Sequence, residues 1–156
     1  FWSFAPHDIS LFQYFSKSYP TEISCNGGYF LQENIHDTTI TYLKYPNGIE
    51  GHIYVSWLHP FKEHRLVVIG SNAMVTFEDS ANGKPLKLYM KKFDYSDGFF
   101  EKVDGPVYDL KYSSKEPLKE QLLYFMESIH DRSLEIAGGN HAIDVTKILV
   151  EASSQL

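Results

Sequence analysis

Apolar positions recur at spacings of three and four near both ends of this chain, and at a spacing of two through its middle. Near the start, Ile9, Phe12, Phe15 and Ser16 form a helical stripe with one polar lapse. Pro6 suits the first turn of that helix, where a missing N–H costs nothing. Tyr19-Pro20 is expected to end it, because the residue before a proline is pushed out of the helical region. From about residue 21 to about residue 92 the period shifts towards two. Residues 37–45 are rich in Thr, Ile and Tyr, Pro46-Asn47-Gly48 is a turn signal, and Gly51, Ile53, Val55 and Trp57 alternate after it, which predicts a hairpin. Residues 65–69 and 73–77 form a second pair about Gly70-Ser71-Asn72, and Leu86, Leu88 and Met90 mark a strand after Asn82-Gly83. Residues 94–112 read as loop, with a short strand near 107–110. Ser114 is the expected N-cap of a helix whose apolar face is Leu118, Leu122, Phe125, Met126 and Ile129. After a break at Gly138-Gly139-Asn140, Ala142, Val145, Leu149 and Ala152 form the face of a last helix.

Successive hairpins imply antiparallel strands, since parallel ones need long crossovers. The order helix, strands, helices predicts an α+β fold: an open, mostly antiparallel sheet with helices packed on one face. The 156 residues suffice for one domain, expected to span 1–156.

Composition changes this picture little. The chain is 43% hydrophobic and 22% charged, as in water-soluble globular domains. A net charge of −6 and scattered basic residues speak against a nucleic-acid partner, and Lys84, Lys87, Lys91 and Lys92 read as one solvated sheet face. Cys25 is the only cysteine, so no internal disulfide can form, and a reducing, cytoplasmic setting is expected. No apolar run reaches the roughly 20 residues of a membrane span. The opening Phe1-Trp2-Ser3 reads as the start of a fragment cut from a longer protein.

Neither a G-x-G-x-x-G between strand and helix nor a phosphate-binding P-loop occurs, and Gly27-Gly28 and Gly138-Gly139 read as structural glycines. His52, His59 and His64 lack carboxylates at ligand spacing, so no metal site is expected. His141, following Asn140, is read as part of a helix cap. His7 stands out. In the first turn of a helix it meets the positive end of the helix dipole, which favours a neutral ring. A neutral imidazole can take a proton from a hydroxyl, as a general base does when an alcohol is oxidised. A histidine that merely caps or packs at a helix start is the alternative.

The run Phe1-Trp2-Ser3-Phe4-Ala5-Pro6-His7-Asp8-Ile9-Ser10 is similar to the W-D-L-A-P-H-D-I-S run in bacterial members of the glucose–fructose oxidoreductase and inositol dehydrogenase family. Ser56-Trp57-Leu58-His59-Pro60-Phe61-Lys62-Glu63-His64-Arg65 resembles a subfamily S-W-L-x-P-x-K-x-x-R signature. Residues 68–70 through 74–79 resemble the strand pair that follows, and Glu116-Pro117-Leu118 with Phe125 resembles the start of the family's long C-terminal helix. The subfamily most resembled lies among nucleotide-sugar 3-dehydrogenases.

The resemblance implies a dihydrodipicolinate-reductase-like C-terminal domain, whose partner is its own N-terminal Rossmann domain. That domain, absent from this chain, would hold NAD or NADP and supply a catalytic lysine. The substrate would be a sugar or nucleotide sugar, His7 the proton relay beside its reacting carbon, and the assembly a homo-oligomer through the sheet face. The fragment alone is expected to bind no cofactor and to be inactive. Where the family has Asp, this chain has Ser3, so His7 could lack an orienting partner. Asp8 is either a substrate contact or a helix N-terminal charge. Lys62 and Arg65 are candidates for a substrate phosphate or carboxylate, or for ion pairs with Glu63 and its neighbours. Trp57 is read as core or sheet face, with a stacking platform as the other possibility. The rival reading of the whole is a non-catalytic binding or oligomerisation module that keeps the fold.

Overall fold

A computed structural model describes residues 1–131, 134 and 137–156. The element order is α1 (Ala5–Ser16), β1 (Glu22–Gly28), β2 (Thr38–Lys44), β3 (Glu50–Ser56), β4 (Arg65–Ile69), β5 (Met74–Glu78), β6 (Leu86–Ser96), β7 (Phe99–Asp109), α2 (Pro117–Asp131) and α3 (Gly139–Ser153). This is an α+β fold with antiparallel pairing throughout. The strands divide between two sheets, β1-β2-β3 and β4-β5-β6-β7, instead of forming one. The chain separates into two compact units, Phe1–His59 with Leu122–Leu156, and Pro60–Gln121.

The first unit holds every buried side chain of the described residues. Alternation along the strands turns Ile23 and Cys25, Thr39, Thr41 and Leu43, and Ile53 and Val55 to one face. Onto that face pack Ala5 and Ile9 of α1 and Val145, Ile148, Leu149 and Ala152 of α3. Each large aliphatic buried here contributes on the order of 1.5–3 kcal/mol. The register aligns Ile23, Leu43 and Gly51 across the sheet, and Phe12 lies over Gly51 where a β-carbon would collide with its ring.

Helix α1 buries the row Ala5, Ile9, Gln13 and Ser16, which keeps Ile9 and Ser16 of the expected stripe but not its two aromatics: Phe15 is exposed and Phe12 only partly buried. It also ends before Tyr19-Pro20. Lys17 takes a left-handed conformation with φ 53° and its N–H bonds the Gln13 carbonyl, stopping the helix without a glycine.

The second unit is a four-stranded meander in which no residue is buried. The region 94–112, expected as loop with a short strand near 107–110, holds the end of β6 and all of β7, so the strand is longer than expected and completes a hairpin. Asp97 and Gly98 both have positive φ, 52° and 87°, and form its tight turn. The irregularity opposite Met90 accommodates Gly105-Pro106, which explains a proline inside a strand. The clustered lysines are partly ion-paired, Lys84 with Asp79, Lys91 with Asp104 and Lys92 with Asp94.

Helix α2 starts at Pro117, a residue pre-set for a first turn, so Ser114 is not its cap. Its apolar face of Leu118, Leu122, Phe125, Met126 and Ile129 is exposed. Among the described residues, α1 packs on β3 and α3 on β1 of the three-stranded sheet. No helix among the described residues is long and apolar enough to cross a membrane.

Candidate active site

The pairing register sets Gly28, Thr38 and Ser56 in a row at one end of the three-stranded sheet. From that end emerge the loop 29–36 and, beyond β3, Trp57. The start of α1 is brought to the same end by a ring contact, with the centroids of Phe4 and Trp57 4.7 Å apart. The approach is fixed by the turn before the helix, where the Phe1 carbonyl accepts from the Phe4 and Ala5 N–H groups at 3.1 Å. Trp2 Nε1 donates to Ser153 Oγ at 2.8 Å, tying that turn to the end of α3.

His7 lies in the first turn of α1 with its side chain exposed, and its N–H donates to the Phe4 carbonyl at 3.3 Å. Asp8 follows it, half-buried, and Ser3 is exposed in the preceding turn. Trp57 is 60% exposed, which removes the core half of its reading as core or sheet face: it lies just beyond the end of β3, and its ring lies against Phe4. Thus Ser3, His7, Asp8 and Trp57 share the first unit. Lys62 and Arg65 belong to the second. Both are exposed, and Arg65 Nη2 lies 3.4 Å from Glu63 Oε1, the ion pair weighed above.

Two contacts extend the sequence reading, one at a residue it did not single out and one at a histidine it placed in a helix cap. The first is Asp37, whose Oδ2 accepts from the N–H groups of Phe30 at 2.6 Å and Leu31 at 2.8 Å. Its own N–H donates to the Gly28 carbonyl, and its carbonyl accepts from the Trp57 N–H at 2.8 Å. The two donated N–H groups hold its carboxyl below the usual carboxylate range, against the opposing effect of desolvation. An Asp placed between a turn-rich stretch and a strand is the signal that could have exposed this clamp. The second is His141, which is not a cap. Gly138 is the N-cap of α3, and His141 Nε2 instead lies 2.8 Å from Ser10 Oγ, linking α3 to α1.

No group of three or more His, Cys, Asp or Glu among the described residues could hold a metal ion. Nor does Gly27-Gly28 form a phosphate loop. Gly27 and Gly28 lie within β1, paired to Thr39 and Thr38, and a β-carbon on Gly27 would meet the Thr38 carbonyl at 2.7 Å. These glycines serve close strand packing, not a phosphate loop.

A family model described as the GFO/IDH/MocA C-terminal domain matches residues 1–76. No curated protein matches the chain. Among solved structures, UDP-N-acetylglucosamine 3-dehydrogenase GnnA from Acidithiobacillus ferrooxidans superposes with a TM-score of 0.79 at 10% identity, over 97% of this chain and 44% of that one. A second crystal form of that enzyme gives 0.76 at 13% identity, over 97% and 45%. An NAD-binding protein from Listeria innocua gives 0.66 at 16% identity, over 97% and 44%. At such identities these likenesses show the fold, and this chain spans less than half the length of each. The chain is thus similar to the GFO/IDH/MocA C-terminal domain, in sequence over residues 1–76, just under half of its length, and in fold almost end to end.

Proposed function

We propose that this chain is the substrate-facing part of a two-domain NAD(P)-dependent oxidoreductase that oxidises a hydroxyl of a sugar or nucleotide sugar. The observation that carries the reading is His7, exposed in the first turn of α1 beside the Phe4–Trp57 ring pair. Its imidazole accepts the hydroxyl proton as the carbonyl forms. The dinucleotide is held by a separate N-terminal Rossmann domain, for which the similarity of residues 1–76 to the GFO/IDH/MocA C-terminal domain is the support. Ser3 and Asp8 flank His7, and Trp57 adds a ring face. Exposed apolar side chains on the four-stranded sheet, among them Val107 and Tyr108, support assembly into a homo-oligomer through that sheet. The lone, buried Cys25 supports a reducing, cytoplasmic setting.

The test uses the full-length protein, NAD or NADP, and UDP-N-acetylglucosamine as the first substrate. His7→Asn should lower kcat by about 10²–10⁴-fold while leaving dinucleotide affinity unchanged. Equal turnover in variant and parent would remove His7 from the mechanism. No turnover of any sugar or nucleotide sugar by the parent would favour the non-catalytic module, to which Ser3 in place of the family's Asp already points.

A further inference from the structure

The loop 29–36 displays more apolar surface than its length requires. Tyr29, Phe30, Leu31 and Ile35 are 51%, 72%, 73% and 54% exposed. Such side chains gain nothing from water, and a loop without partners would tend to collapse them onto the sheet. Here they are kept out by a built device. Asp37 is only 7% exposed, yet it is charged and sits at the base of the loop. A buried carboxylate is costly unless its oxygens are satisfied, and Oδ2 is satisfied by the Phe30 and Leu31 N–H groups. Inside the loop Asn34 adopts φ 63°, and the Ile35 N–H returns to the Gln32 carbonyl, closing a smaller turn. Tyr29 packs edge-on against His36, with ring centroids 5.5 Å apart.

The same residue reaches the other side of the site. The Asp37 carbonyl accepts from the Trp57 N–H, so one amino acid fixes the backbone on which Phe30, Leu31 and Trp57 are all mounted. Trp57 in turn carries Phe4, three residues before His7. The outcome is that the exposed rings of Tyr29, Phe30 and Trp57, with Phe4 against the last, are mounted on segments leaving one end of the sheet. Aromatic faces of this kind favour flat partners, either a nucleobase or the C–H face of a sugar ring.

We infer that Asp37 is a positioning residue: by clamping the 29–36 loop and Trp57 together, it holds an aromatic rim that receives the rings of a nucleotide sugar. This deepens the reading given above and rests on it for the class of ligand. Asp37 touches no substrate itself. It acts through the backbone it holds, so its loss weakens binding and leaves the proton step to His7.

Isothermal titration of the full-length protein with UDP-N-acetylglucosamine, UDP and N-acetylglucosamine tests this without requiring turnover. Asp37→Ala should weaken binding of the nucleotide sugar about tenfold. Asp37→Asn keeps an oxygen able to accept both N–H groups and should restore affinity to within about threefold of the parent. Trp57→Leu removes one exposed ring, leaves the core intact, and should also lose about tenfold, covering the case in which Asp37→Ala does not fold. His7→Asn should bind within about twofold of the parent, separating binding from proton transfer. A Trp57→Leu loss repeated with UDP assigns that ring to the base, and one repeated with N-acetylglucosamine assigns it to the sugar. Unchanged affinity in Asp37→Ala and Trp57→Leu, or no binding of any of the three ligands by the parent, would overturn the inference. If the parent binds in this Asp37-dependent way but never oxidises the ligand, the oxidoreductase reading fails and the rim stands.

Discussion

The side-chain amide of Gln155 closes the free edge of β1 at Cys25: Oε1 accepts from the Cys25 N–H at 2.8 Å, and Nε2 donates to the Ile23 carbonyl at 2.9 Å. β1 is an outer strand of its sheet, and an open strand edge invites pairing with another chain. One side-chain amide here imitates the next strand. Gln155→Ala should therefore destabilise the protein by about 1–3 kcal/mol, the cost of leaving partly buried backbone groups unpaired. Gln155→Glu keeps the acceptor for Cys25 and loses the donor to Ile23, so only in the alanine variant should exchange of the Cys25 amide accelerate strongly. Equal denaturation midpoints for parent and Gln155→Ala would show that water replaces the amide without cost.

Gly51 makes room for Phe12. An added β-carbon would strike Phe12 Cε1 and Cζ, which are the far end of a side chain and not backbone. The ring can swing, but only by giving up its place against the core. Gly51→Val should cost about 1–3 kcal/mol through overpacking. Combined with Phe12→Ala, the same substitution should cost much less than the sum of the two single changes, because they share one contact. Additive losses in chemical denaturation would mean the two residues do not compete for that space.

The hairpin of β2 and β3 is legible in the sequence because Pro46-Asn47-Gly48 coincides with alternation on both sides, so local and non-local signals agree. The long hairpin of β6 and β7 is not. Its β7 strand alternates poorly, since neither face is buried, and Gly105-Pro106 mimics a break where the strand merely bulges. Helix α1 shows a related limit. Ile9 and Ser16 of the expected stripe are buried, but Ala5 and Gln13 join them in place of Phe12 and Phe15, because the adjoining surfaces of α3 and the sheet decide which side faces in. At the candidate site, His7 is visible through a local motif and a family resemblance. Asp37 is not, because its role depends on bringing residues 28, 30, 31 and 57 to one point.

Acid should release the 29–36 loop before it unfolds the protein. The Phe30 and Leu31 N–H groups depress the Asp37 carboxyl in the folded state below its ordinary value of 3.8. The stabilisation is therefore fully present above 3.8, and it is lost as pH falls through the lower folded-state value. The Phe30 and Leu31 amide resonances should titrate together, with one midpoint below 3.8. A midpoint at or above that value would mean the carboxylate is not held by these bonds in solution.

Alkali should reach Tyr45 last among the eleven tyrosines. Its side chain is 2% exposed at the end of the core strand pair, and burial pushes its phenol up to about 12, while the neighbouring Ser16 hydroxyl pulls the other way. A raised value in the folded state means that the neutral ring stabilises the fold. This contribution is complete below the ordinary value of 10 and disappears as pH rises towards about 12. Tyrosinate absorbance should accordingly rise in a main step for the exposed residues and then in a late step that coincides with unfolding. Tyr45→Phe should remove one phenol from that late step and leave the main one unchanged. If the variant instead loses amplitude from the main step, Tyr45 ionises in the folded protein and its ring is not sealed in the core.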